Sequence, residues 1–217
     1  PIFDHYIYAI VSDGDLMEGI SHEAASLAGH QQLDRVIYFY DDNEISIEGD
    51  TDITFTEDVP ARFRAYGWHV QEIDGHDVDA VAEAIKAAQA VDGKPHLIVC
   101  HTHIAYGSPN KQDSEKAHGA PLGQEEVRLT KEALDWPMQE PFFVPETALT
   151  NYRVAKTQGE QVEAKWREML TGYEDAYPEE HARLQRVLKG ALPQGWEENL
   201  PEFSPEDAPM ATRAAFG

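Results

Sequence analysis

The chain has 217 residues, enough to bury a sizeable core as one or two domains, and 41% of them are hydrophobic, which excludes a disordered polymer. Seventeen Lys and Arg stand against 40 Asp and Glu, a net charge of −23 that argues against nucleic acid or an anionic membrane as partner. Cys100 is the only cysteine, so no internal disulfide forms, which suits the cytoplasm; there is no signal peptide and no apolar run long enough to cross a bilayer. The chain opens on Pro1-Ile2-Phe3 and closes on Ala214-Ala215-Phe216-Gly217, which reads as an internal piece of a longer polypeptide.

In chain order, Tyr6 to Val11 reads as a strand running into the turn Ser12-Asp13-Gly14-Asp15. A helix is expected over Met17 to His30, with Ile20, Ala24, Leu27 and Ala28 at helical spacing, then a strand over Val36 to Tyr40 that ends on Asp41-Asp42-Asn43. This is a βαβ unit with an acidic turn at the carboxyl end of each strand, the edge at which open parallel sheets bind ligands. A polar loop over Glu48 to Thr56 leads to a short helix, Glu57 to Tyr66, carrying Val59, Phe63 and Tyr66 on its apolar side. A strand at Trp68 to Ile73, an amphipathic helix at Asp79 to Val91 and a buried strand at His96 to His101 follow. The alternation of strands and helices predicts an α/β fold, a doubly wound parallel sheet with flanking helices. Ala105 to Leu122 is a long Gly/Pro/Ser/Asn loop, of the kind that is usually functional, and it leaves the carboxyl end of the last strand. The rest is expected to be a helical C-terminal extension (Glu125 to Leu134, Glu146 to about Tyr173, Glu179 to Leu188) and then a Pro/Glu-rich linker from Leu192 to Pro209.

The residue types at the first two turns suit a particular ligand. Asp13 and Asn43 offer hard oxygens of low total charge, which fits Mg²⁺ that keeps part of its coordination for phosphate. Gly14 permits close backbone approach, and the helix after it favours an anion at its N-terminus. Taken alone, the pair reads equally well as two ordinary turns. The ten histidines do not meet the tighter groupings zinc requires: His101 and His103 have one residue between them, and His22 and His30 are eight positions apart. His118 on the long loop reads, from residue type alone, as a solvated histidine. Glu18 reads as a carboxylate in the first helical turn, favourably placed against the helix dipole.

The Asp-Gly pair followed about 28 residues later by Asn, beyond a hydrophobic strand, resembles the thiamine diphosphate motif of thiamine-dependent enzymes. The strings Asp13-Gly14-Asp15-Leu16-Met17-Glu18-Gly19-Ile20, Ala24 to His30, and Tyr40-Asp41-Asp42-Asn43-Glu44-Ile45-Ser46-Ile47 resemble transketolases of bacterial type. The likeness continues through Tyr66-Gly67-Trp68, Ile104-Ala105-Tyr106-Gly107-Ser108, His118-Gly119-Ala120-Pro121-Leu122 and Ala211-Thr212-Arg213, covering essentially the whole chain. Ser12 departs from it, standing where the thiamine motif usually has Gly.

The resemblance implies transfer of a two-carbon ketol unit from a ketose phosphate to an aldose phosphate, in the pentose phosphate pathway, with thiamine diphosphate and Mg²⁺ (Ca²⁺ or Mn²⁺ as substitutes). It implies Asp13, Asn43 and the Ile45 carbonyl as metal ligands, and Gly14 and His118 at the diphosphate. Ile47 and Ile104 would lie against the thiazolium. His118 would also act on the substrate as an active-site histidine, able to give or take a proton near neutral pH. Glu18 would belong to a polar network near cofactor and subunit contact. It further implies a cytoplasmic homodimer whose active site forms at the interface, the wall for the aminopyrimidine coming from the following domain of the partner subunit. The expected organisation is a diphosphate-binding domain over 1–190, incomplete at its N-terminus, and a linker over 191–217 toward a missing pyrimidine-binding domain. So acidic a chain offers little to hold a sugar phosphate, so much of the substrate pocket is expected outside it. Rival readings are another thiamine enzyme, such as a deoxyxylulose-phosphate synthase or a pyruvate dehydrogenase first component, or a non-catalytic subunit of the same fold.

Overall fold

Six residues supply the middle of the architecture. His96–His101 (β6) is buried from His96 to Cys100, the pattern of a central strand in a parallel sheet covered on both faces. In the computed structural model, which describes residues 1–137, 140–198, 200–204 and 208–215, β6 lies between Val36–Asp42 (β2) and His69–Asp74 (β5). Ile7–Ser12 (β1) pairs with the far side of β2, giving an all-parallel sheet in the order β1-β2-β6-β5. Ser12, Asp41 and Cys100 lie side by side in this register, so the carboxyl ends of three strands finish together. A small antiparallel hairpin, Ile45–Ser46 (β3) with Gly49–Asp50 (β4), stands just beyond the end of β2.

Both faces are covered. On one, Tyr40, Leu97 and Val99 pack with Leu16, Ala25, Val59, Phe63 and Trp68. These come from Asp13–Met17 (α1), Gly19–His30 (α2), Val59–Ala65 (α3) and the residue before β5. On the other face Ile37, Ile98 and Cys100 meet Ala84 and Ala88 of Val78–Gln89 (α4). Aspartates cap two of these helices: Asp58 accepts from the Ala61 N–H at 2.8 Å, and Asp77 from Asp79 and Ala80 at 3.0 and 3.1 Å. Trp68 ties α2 to the sheet by donating its indole N–H to the Ala25 carbonyl at 2.8 Å. Gly29 is required beside it, since a Cβ there would stand 1.8 Å from the Tyr66 carbonyl oxygen.

The structure corrects two details of the first βαβ unit. The helix expected over residues 17–30 is two helices, broken at Glu18, whose extended backbone closes α1 and opens α2. Glu18 therefore caps α2 rather than sitting inside a first turn. The inward face of α2 is Ala25 and Ala28, whereas Ile20 and Leu27 are exposed. A close helix–sheet approach set by Gly29 and the Trp68 bond selects small residues, which a periodicity count weighted by large side chains overlooks.

By inter-residue contacts, residues 3–143 form one unit, and residues 1–2 with 144 onward another. The first unit ends with the long loop and Gln124–Ala133 (α5). The second holds Glu146–Ala176 (α6), Pro178–Leu188 (α7) and Thr212–Ala215 (α8). No residue of α6 or α7 is buried. Tyr173, Tyr177 and His181 make ring contacts at the bend between them. Of the expected linker, residues 199, 205–207, 216 and 217 lie outside the described residues.

Candidate functional site

At the carboxyl edge of the sheet, a crevice of about 970 Å³ opens above β1, β2 and β6. Asp13, the first residue of α1, forms its floor and is only 4% exposed. Tyr40, the last buried aromatic of β2, donates its phenol O–H to Asp13 Oδ1 at 2.5 Å. The other oxygen, Oδ2, is buried with no hydrogen-bond partner. Burial raises the Asp13 carboxyl above the ordinary carboxylate range, and the charges of Asp42 and Asp41 add to this against the opposing Tyr40 hydrogen bond and the lesser pull of the Glu44 backbone. A buried, partnerless carboxylate oxygen is costly in a folded protein unless a cation meets it.

Before Asp13 the backbone is held by Asp15, whose Oδ2 accepts from both the backbone N–H and the hydroxyl of Ser12 at 2.8 and 2.9 Å. The serine hydroxyl is thereby turned into the α1 cap. Gly14 is exposed, and the nearest atom to a Cβ built on it would be Ser12 Oγ at 3.9 Å, leaving open space in front of the turn.

Asn43 follows β2, with its amide fixed at both ends. Its Nδ2 donates to Asp41 Oδ2 at 3.0 Å, and its Oδ1 accepts from the Ile45 N–H at 3.1 Å. Between them Glu44 takes a left-handed conformation, φ +58°, at a steric cost of about 1–2 kcal/mol for a residue with a Cβ. Its carbonyl accepts from the Thr51 N–H at 2.9 Å, which fastens the turn to the segment after the hairpin. Ile45 is buried. The opposite wall comes from β6 and the residues after it. His101 Nδ1 lies 2.9 Å from Asp42 Oδ2, and Thr102 donates its hydroxyl to Asp41 Oδ1 at 2.5 Å. The His103 ring meets the Asp113 carboxylate at 3.0 Å, and its backbone N–H donates to His76 Nε2 at 3.0 Å.

The fold thus brings together Asp13, Asn43 and Ile45, all of which line the crevice. Gly14, Glu18, Ile47, Ile104 and His118 do not line it. Ile47, in the turn between β3 and β4, is 69% exposed, and Ile104 is half-buried, its carbonyl accepting from the Asp113 N–H at 3.1 Å. His118 is exposed and ends a single 3-10 turn, Glu115–Ala117, on the long loop. Glu18 is exposed at the α1–α2 junction, its carbonyl accepting from the Ser21 hydroxyl at 2.7 Å. Reasoning from sequence overlooked Tyr40, Asp41 and Thr102. Alternation along β2 carried a signal for Tyr40, because Tyr38, Tyr40 and Asp42 share one face. The groups that could hold a cation here are oxygens only, an aspartate, an asparagine amide and the backbone carbonyl of Ile45, and such a set would suit a hard divalent cation. Among the described residues no three or more His, Cys, Asp or Glu side chains group to hold a metal ion by themselves.

Comparison with known proteins gives the family of the chain. Residues 1–193 match the family described as transketolase, thiamine diphosphate binding domain. The transketolase of Geobacillus stearothermophilus is 46% identical over 218 aligned residues, covering 100% of this chain and 32% of that protein. The chloroplastic transketolase-1 of Arabidopsis thaliana is 48% identical over 98% of this chain and 29% of its own length. Among solved structures, a Pichia stipitis transketolase in complex with sedoheptulose-7-phosphate superposes with a TM-score of 0.88 at 42% identity, covering 99% of this chain and 32% of that one. The chain spans about a third of the length of the relatives it matches.

Proposed function

The chain belongs to the family of transketolase thiamine diphosphate-binding domains, and from that premise we propose that it supplies the metal and diphosphate side of a transketolase active site. The observation that carries the reading is the buried Asp13 Oδ2, left without a protein partner at the floor of the crevice and close to Asn43. Asp13, Asn43 and the Ile45 carbonyl would hold Mg²⁺, for which Ca²⁺ or Mn²⁺ could substitute. The open turn at Gly14 would receive the diphosphate. When bound, thiamine diphosphate supplies the carbon nucleophile and the electron sink that carbon–carbon cleavage of a ketose phosphate requires.

The protein's own contribution is binding, orientation and proton handling. Asp13 brings one negative charge to a cation already shared with a diphosphate, and the neutral Asn43 amide keeps the total from becoming excessive. His118, exposed on a loop that leaves the same sheet edge, would move to the diphosphate and the reacting sugar and transfer a proton there. Ile47 and Ile104 would give apolar contact to the thiazolium, and the exposure of Ile47 fits a surface awaiting a ligand. Glu18 would join a polar network at the subunit contact.

The proposal extends to the whole protein: a cytoplasmic homodimer in the pentose phosphate pathway, acting on sugar phosphates, with the active site at the subunit interface. The domain would run over 1–190, in keeping with a family match ending at 193, and 191–217 would lead to a pyrimidine-binding domain. Among the described residues no helix is long and apolar enough to cross a membrane. The transketolase names of the relatives favour ketol transfer over the other thiamine-enzyme readings. The test is to measure ketol transfer between a ketose and an aldose phosphate by the full-length protein, with and without Mg²⁺ and thiamine diphosphate. Transfer dependent on both is expected, and the 217-residue chain alone should show none. Turnover of pyruvate without any sugar transfer would move the assignment to another thiamine enzyme.

A further inference from the structure

We propose that Tyr40 and Thr102 are positioning residues for the cation: Tyr40 decides which oxygen of the Asp13 carboxylate remains free, and Thr102, through Asp41, decides which way the Asn43 amide faces. This rests on the function proposed above. Tyr40 offers a single O–H donor and gives it to Asp13 Oδ1 at 2.5 Å, so the oxygen left over is Oδ2, and Oδ2 is the buried atom without a partner. A free carboxylate would present either oxygen, whereas this one is turned and held.

Asn43 faces a sharper choice, because an amide can flip. In the observed orientation Nδ2 donates to Asp41 Oδ2 and Oδ1 accepts from the Ile45 N–H. Flipped, the amide would set Oδ1 against a carboxylate that can only accept, and Nδ2 against an N–H that can only donate. Asp41 enforces this only while its own carboxylate is fixed, and Thr102 fixes it through the 2.5 Å bond to Oδ1. Tyr40 and Asp41 are strand residues of β2, and Thr102, directly after β6, is bound to the Asp42 carbonyl through its backbone N–H at 3.1 Å. Both positioning bonds therefore come from the sheet rather than from the turns that carry the ligands.

The experiment compares the full-length protein with its Tyr40→Phe, Thr102→Val and Thr102→Ser variants. Mn²⁺ is titrated at saturating thiamine diphosphate and followed by electron paramagnetic resonance, and the unfolding temperature is measured without metal. Tyr40→Phe and Thr102→Val should weaken the cation by about 10–100-fold, the usual effect of removing an outer hydrogen bond to a metal ligand. Thr102→Ser, which keeps the hydroxyl, should stay within a few-fold of the parent. Cation affinity unchanged in Tyr40→Phe and Thr102→Val, with only the metal-free unfolding temperature lowered, would overturn the inference and leave both side chains purely structural. If Tyr40→Phe does not fold, the Thr102 pair decides. Asp13→Ala separates the two levels: loss of Mn²⁺ there with retention in the other variants removes this inference alone, whereas retention of Mn²⁺ in Asp13→Ala removes the metal assignment beneath it.

Discussion

The two edges of one sheet treat buried polar groups in opposite ways. At the amino edge, His69 and His96 are register neighbours with Nδ1 atoms 3.1 Å apart, and His96 is wholly buried. His96 Nε2 lies 3.2 Å from the Asp34 carbonyl, which can only accept, so Nε2 carries a proton and Nδ1 is bare. His69 must then donate its Nδ1–H to His96, and every polar atom of His96 is engaged. At the carboxyl edge Asp13 is almost as deeply buried, yet one of its oxygens has no partner. The strands and their spacing are shared, so the difference lies in purpose. Polar groups paired with one another stabilise a fold; a polar group left unpaired where a crevice opens is a candidate binding position.

Substitutions at the carboxyl edge should change binding more than stability. Asp13→Ala in the full-length protein should abolish Mg²⁺-dependent cofactor binding, an effect beyond the roughly 10–100-fold typical of outer-shell changes. The metal-free protein should change less in stability than in binding, because removal of the buried partnerless oxygen is set against loss of the acceptor for the buried Tyr40 hydroxyl. Asn43→Asp should retain part of the affinity, since an oxygen ligand survives. Calorimetric titration of thiamine diphosphate with and without Mg²⁺ measures both variants.

His118→Ala, at an exposed loop position above the same edge, should lower turnover by roughly 10²–10⁴-fold, the usual worth of a general acid–base. Cofactor affinity should fall much less, and the unfolding temperature should hold. Turnover within a few-fold of the parent would make His118 an ordinary loop histidine and narrow the functional edge to the metal turns.

At the amino edge the effect should be on stability alone and should depend on pH. Burial lowers the pKa of both histidines from the ordinary value of 6.5, with Lys94 assisting at His69 and the neighbouring His69 at His96, where Asp34 opposes. Below 6.5 the unfolded chain takes up protons that the folded pair refuses. The stability linked to the pair is therefore present above about pH 6.5 and lost as pH falls through the lower folded values. His96→Gln should flatten this acid limb between pH 7.5 and 5 in denaturant titrations, with cofactor affinity at pH 7.5 unchanged. Smallest of all, Arg167→Ala on α6 breaks an exposed ion pair with Glu163 and should change stability by no more than about 0.5 kcal/mol.

Much of this contrast was legible in the chain before its fold was known. Hydrophobic runs marked every strand of the parallel sheet to within two residues, and β6 to the residue, because a central strand is apolar on both faces. That Asp13 and Asn43 reach one crevice was legible because each directly follows a strand, where the topology fixes the edge. Tyr40, Asp41 and Thr102 were not, since their importance lies in which atom each one touches across 27, 2 and 61 residues of chain. The break at Glu18 was hidden for a related reason: a helix-favouring glutamate took an extended backbone between two short helices. The inward face of α2 was misjudged because Gly29 and Trp68 set a close approach that only small residues fit.

The central claim is that the unpaired oxygen at the carboxyl edge is a metal ligand. A crystal structure of the full-length protein with Mg²⁺ and thiamine diphosphate tests it most directly. The account predicts a cation about 2.0–2.1 Å from Asp13 Oδ2 and Asn43 Oδ1, the spacing Mg²⁺ demands, with Tyr40 still bonded to Asp13 Oδ1. A cofactor bound with its cation elsewhere, and Asp13 Oδ2 still bare in the floor of the crevice, would contradict it.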